Sequence, residues 1–326
     1  MEIKKESITF EGVELFPLPM RTALRYFQLI DFNIYLTSDE KKFFKIRHDV
    51  KIIQEVIEKY RDKGIKEIYV EEPDYMNFLA KIRQGLAQKL FDPSTIEDSD
   101  NKAVATLNEA YLMLKNALSN FGLTQGTLEL AEEINKASMQ TLKLCPNIFM
   151  LYKRYKNECQ EGFLDGLLTG FMTTILVEGV SWRTKPIVEK LSLASLLLDL
   201  NLSKKEYTEM KAAMGQEVGL SEKVRVHPIE MSKLLSKFKD SFPKEVLDCV
   251  EFHHEMPDGS GYPKAVDYQR ISKLPACLIC AQYFSFLIRK NEFDFQKKDI
   301  IIEELNSKFN YPNFSEFLEI MIDILT

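Results

Sequence analysis

A mainly α-helical protein, with a small α/β domain ahead of an all-helical bundle, is what the 326-residue sequence predicts. Helical spacing of apolar residues runs almost unbroken from Lys102 onward, whereas strand-like and helix-like segments alternate over the first ninety residues. Between them lies FDPSTIEDSDN, polar and without periodicity, the best linker in the chain. The expected division is a domain over residues 1–92, a linker with connecting helices over 93–144, and the helical domain over 145–326.

In the first part, FNIYLT and FFKIR read as strands joined by a polar turn at Ser38, Asp39 and Glu40. VKIIQEVIEKYRDKG has helical spacing with Gly64 as its stop. KEIYVEE is a third strand, followed by a helix from about Asp74 to Leu90. In the second part the helices break at Gly122 to Gly126, at Cys145-Pro146-Asn147, at Gly179 to Thr184 and at the turn from Gly261 to Pro263.

Composition removes several functions. The net charge of −6 and dispersed acidic residues leave no basic surface for nucleic acid. No apolar run reaches the ~18 residues of a membrane span, and the opening MEIKKESITF lacks a signal-peptide core. Five cysteines, an odd number, fit reduced thiols and a cytoplasmic protein. Cys277 and Cys280 form a CxxC inside the apolar run LPACLICAQYF, with no second CxxC, and read as buried structural thiols.

Four features of the helical part could carry chemistry. Asp199 is expected inside the otherwise apolar helix LSLASLLLDLNL, where an ionised carboxylate needs a cation or hydrogen-bond donors. His227 precedes Pro228 at what reads as a helix start, with its side chain free to point either way. His253 and His254 follow the buried face marked by Val246, Leu247 and Val250, so both imidazoles lean inward. One Asp and three His suit Zn, Fe or Mn; the alternative is four separately satisfied residues. His48, beside Asp49 in the first domain, reads as a surface residue.

HHEMPDGSGYP resembles the hallmark of the HD-GYP domain family, a His-His-Glu run followed by Asp-Gly-(Ser/Thr)-Gly-Tyr-Pro. The resemblance covers roughly Cys145 to the C-terminus, and the N-terminal part is similar to the small domain that accompanies some members. It implies a helical, metal-dependent phosphodiesterase fold acting on cyclic di-GMP in bacteria. Carried over by motif, Asp199, His227, His253 and His254 match one ion's ligands. The other ion's positions fall on Gly166, Leu198 and Gln282, none of which matches the family's His, His and Asp, and Leu202 stands at the family's Lys. Arg289 and Lys290 lie near, but out of register with, the family's phosphate-binding Arg.

The resemblance therefore implies a degenerate signalling or interaction module with at most one divalent transition metal, Fe, Mn or Zn. An active phosphodiesterase with an altered metal site, or a receptor that binds cyclic di-GMP without cleaving it, are the alternatives. The loop Asp258, Gly259, Gly261, Tyr262, Pro263 and Lys264 is the expected contact for a protein partner, by resemblance a GGDEF-type domain. Both glycines are expected to permit positive φ, Pro263 to fix φ, and Asp258 to bond amides two residues on. Tyr262 either anchors that interface or packs over the helix ends and closes the cleft.

Overall fold

The computed structural model describes residues 7–37, 43–46, 50–89, 100–143, 161–182, 184–213, 219–292 and 294–326. Two compact units divide the chain, Met1–Ala137 and Ser138–Thr326. Most of the expected linker, the turn at 38–40, His48, Cys145 and Cys159 lie outside the described residues.

The first unit is built on a five-stranded antiparallel sheet in the order β1-β2-β5-β3-β4: β1 Ile8–Phe10, β2 Val13–Pro19, β3 Ile34–Thr37, β4 Phe43–Ile46 and β5 Glu67–Glu71. The helices are α1 Met20–Arg25, α2 Val50–Asp62, α3 Glu72–Lys89, α4 Asp100–Phe121 and α5 Gln125–Lys143. The sequence shows three of these strands and hides the hairpin β1–β2. Its two-residue turn is Glu11-Gly12, both at positive φ (49° and 80°), as a type I′ turn requires. Pro17 and Pro19 disguise β2, since proline cannot donate to a ladder. However, β1 covers only Val13 to Leu15. Beyond it Pro17 presents its carbonyl to Asn120 Nδ2, 3.2 Å away, rather than to β5. Its nitrogen shares that side of the strand, so no ladder bond is lost.

The compact first unit takes in α4 and most of α5, so the division falls well beyond the linker expected at 91–101. The reason is aromatic packing. Phe121, at the end of α4, lies 4.5 Å between ring centroids from Phe16 of β2 and 4.9 Å from Tyr75 of α3.

The second unit is helical: α6 Glu161–Glu178, α7 Lys185–Leu197, α8 Lys204–Ala213, α9 Glu222–Leu235, α10 Lys244–Phe252, α11 Lys273–Lys290, α12 Lys298–Phe309 and α13 Ser315–Leu325. Helix α11 is its axis, buried without interruption from Pro275 to Ser285, Cys277 and Cys280 included. Burial pushes both thiols well above their ordinary range, which keeps them protonated and inert. Helix α6 meets α7 through Gly166 and Gly170, which face the backbone of Ser195, Leu196 and Ser192. Among the described residues no helix is long and apolar enough to cross a membrane.

Two expected helix boundaries move, and both movements bear on the site. Helix α7 ends at Leu197, so Asp199 lies in the turn that follows rather than inside the helix. Helix α9 begins at Glu222, which places Pro228 in its interior rather than at its first turn.

Candidate metal centre

Interior Pro228 has a defined consequence for the residue before it. Without an N–H, proline cannot bond the carbonyl four residues back, which is Val224 O. His227 Nδ1 lies 2.6 Å from that oxygen and donates to it. A carbonyl can only accept, so the proton is on Nδ1, and neutral His227 carries its lone pair on Nε2. His253 repeats the device. Helix α10 ends at Phe252, its last turn has carbonyls without intrahelical donors, and His253 Nδ1 takes Val250 O at 2.6 Å.

Both Nε2 atoms then face one another, 3.3 Å apart, with Asp199 Oδ1 at 3.0 Å from His227 and 3.5 Å from His253. His254 adds a third Nε2 at 3.8 Å from the same oxygen, buried and without a hydrogen-bond partner. All four donor atoms lie within 4.8 Å of one another. Two ligands of a tetrahedral ion with bonds of ~2.1 Å stand ~3.4 Å apart, so the spacing suits one metal. The adjacent pair converges because the chain leaves the helix between them: His253 caps α10 and His254 sits in the turn, their ring centroids 4.1 Å apart.

The electrostatics ask for a positive charge. Burial holds the His253 imidazole below its ordinary value, and burial with the neighbouring His253 takes His254 down to about 3. Burial pushes the Asp199 carboxyl upward, but the three surrounding imidazoles outweigh it and hold the group well below the usual carboxylate range. His227 and His253 spend their Nδ1 protons on backbone carbonyls, and burial disfavours a second proton on His253, so its Nε2 meets the carboxylate as a lone pair. Carboxylate and lone pairs compete for one cation, and a metal ion satisfies both. The His/Asp group can bind a metal.

The loop after His254 forms a wall of this site. Tyr262 N donates to His254 O at 3.0 Å, and the Tyr262 ring stacks on His254 with centroids 4.6 Å apart. Tyr262 thus packs on the His pair, at the wall of the cavity over it. Gly259 has φ +78°. Gly261 is not in a positive-φ conformation, which corrects the sequence expectation. It is required because a Cβ there would come within 2.5 Å of Glu255 Cα and carbonyl carbon, and closer to Met256 N. Asp258 Oδ1 accepts from Ser260 N at 3.0 Å, the turn bond expected, and Pro263 follows a cis peptide bond. Lys264 turns back to Glu251 at 2.7 Å.

The sequence reading includes Glu255 in the His-His-Glu run but gives it no role. Fully buried, its carboxylate accepts from Lys264 N at 2.7 Å and Val266 N at 3.0 Å, tying the end of the loop to its start. Sequence reasoning missed the mouth of the site. A cavity of about 600 Å³ opens over His253 and His254, walled by Tyr262 and Tyr283, with Arg225 and Lys308 at its edge. Only their placement in space marks them; neither belongs to a motif. Arg289 and Lys290 do not line that cavity; Arg289 pairs with Asp165 and Lys290 with Glu304. Asp199 also lines a chamber of about 20 Å³ together with Gly166, Leu198 and Gln282, and Gln282 and Met210 border the larger cavity as well.

No family model matches the sequence, and no curated protein matches it. The structure is similar to that of Bd1817, described as an HDG"Y"P protein from Bdellovibrio bacteriovorus, at a TM-score of 0.53 and 18% identity over 95% of this chain and 99% of that one. The fold is that of an HD-GYP-type protein. In this HD-GYP-type fold the hallmark His pair and loop are the segments that build the His/Asp group and its wall.

The lowered histidines set a pH dependence. In the unfolded chain each takes up its proton near pH ~6.5, while buried His254 does so only at about 3. The stability that follows from keeping it neutral is complete above about pH 6.5 and declines as pH falls toward about 3, by at most about 1.4 kcal/mol per unit for each such group. Urea unfolding of metal-free protein between pH 7 and 4 should show this decline, and His254→Gln should flatten it.

Proposed function

We propose that the protein is a catalytically impaired HD-GYP-type module of bacterial cyclic di-GMP signalling. It holds one divalent transition metal, Fe, Mn or Zn, on Asp199, His227, His253 and His254. The observation that carries the impairment is the chamber beside Asp199. The three positions that would complete a second ion's ligands converge there, and they bring a glycine, a leucine and an amide. Two-metal hydrolysis of phosphodiesters activates a bridging hydroxide from both sides, and this chain offers ligands on one side only.

A bound metal would supply Lewis acidity and a more acidic water. The chain's own residues would do the rest. Arg225 and Lys308 place positive charge on the lining of a cavity large enough for a nucleotide, whose wall also includes the Tyr262 ring. This combination favours a module that retains intact cyclic di-GMP. The exposed edge of the loop, at Asp258, Ser260 and Lys264, is the surface for a protein partner of the GGDEF type.

Purified protein reconstituted with Mn²⁺ should bind intact cyclic di-GMP by calorimetry and release no linear dinucleotide above buffer. Steady turnover abolished by His253→Ala would overturn the reading. The role of Pro228 has its own test. Pro228→Ala returns an amide that competes with His227 for Val224 O, and metal affinity should fall about 10–100-fold, as when an outer partner of a ligating His is lost, while the metal-free melting temperature does not fall.

A further inference from the structure

Asp199 has two unlike surroundings, the three histidines and the small chamber that it also lines. Among the histidines, lone pairs converge without a positive charge; at the chamber the chain supplies a positive charge of its own. Asp165, on α6, accepts from Lys211 Nζ at 2.8 Å and from the Tyr207 hydroxyl, and is ion-paired with Arg289. Lys211 reaches it from α8 and its ammonium also lies 5.8 Å from the Phe286 ring centroid, a cation–π position. Asp165, Tyr207, Lys211 and Phe286 all line the 20 Å³ chamber together with Asp199.

We propose that this chamber is a second cation position which the chain fills for itself, with the Lys211 ammonium in place of a metal ion, so that the protein accepts one metal and excludes another. The inference rests on the single-metal reading above. Four features of the chamber support it. Its volume matches one water, for which roughly 10–15 Å³ is enough, and leaves no room for an ion with retained waters. The buried Gln282 Oε1 has no hydrogen-bond partner, and a water satisfies such an acceptor without requiring a cation. The carboxylate of Asp165, the one other acid on its wall, is held by three donors. Finally, a side chain at position 166 would crowd the neighbouring helix and require its backbone to give by a few tenths of an ångström. A Cβ there would stand 3.1 Å from Ser195 O and 3.2 Å from Leu196 Cα, backbone atoms of α7 that cannot yield as a flexible side chain would. The missing ligands are thus one part of a closed contact between helices α6 and α7.

The test counts bound Mn²⁺ by elemental analysis after reconstitution and desalting. Wild type should hold one ion per chain, and Leu198→His with Gln282→Asp should still hold one, because the ammonium remains. Adding Lys211→Met to that pair should raise the count to two. Two ions in the pair with Lys211 intact, or one ion in the folded triple variant, would overturn the proposal. Lys211→Met alone tests it without new ligands: a second Mn²⁺ should bind at least tenfold more tightly than to wild type, and an unchanged titration counts against the inference. Wild type that holds no Mn²⁺ fails the single-metal reading instead, a distinct result.

Discussion

The donation of two imidazole N–H groups to two backbone carbonyls is the constraint on which the site depends. Val224 O is free because Pro228 has no amide, and Val250 O is free because α10 stops at Phe252. Each takes the Nδ1 proton of the histidine beside it, at 2.6 Å in both cases. The helices thereby fix ring orientation and tautomer together, and Nε2 lone pairs meet at Asp199 in a buried place. Helix grammar does the work that a carboxylate or water does in other histidine sites: one residue that breaks the bonding ladder and one end that leaves it open.

This constraint also explains why the loop is so tightly specified. An imidazole that caps a helix end needs the chain to leave in a set direction. Glu255 sets it by binding two amides across the loop, and Gly261 passes so close to Glu255 and Met256 that no side chain fits. Tyr262 is then laid against His254, where its ring excludes water from the face of the pair. A loop held this way has little entropy to lose when a ligand enters the adjoining cavity.

The two surroundings of Asp199 show how one carboxylate can serve opposite demands. Toward the histidines it is one acceptor among several, and a metal ion reconciles them. Toward α6 and α8 it shares a small space with an ammonium already held by an aspartate. Fixed charge and close backbone packing are as effective as a missing ligand in defining which ions a site takes, because a divalent cation must pass both.

Much of this was legible in the chain itself. The helical half follows from apolar spacing, Gly64 ends its helix at positive φ as read, and the His pair with its Asp-Gly-Ser-Gly-Tyr-Pro turn marks the HD-GYP-type fold. Local pattern carries such features because each depends on residues a few positions apart. The hairpin β1–β2 was not legible, since prolines in β2 are tolerated only because β1 stops short of them, a fact about pairing. Nor was the start of α9, which turns Pro228 from a helix opener into the cause of the His227 tautomer. Asp165, Lys211 and Arg289 come from three helices and share no motif, so only the packing of those helices could pair both cations with Asp165 on the wall that Asp199 shares. The sequence by itself determined which groups can ligate and roughly where helices run; the tertiary structure decided which charges surround Asp199, because these are set by residues distant along the chain.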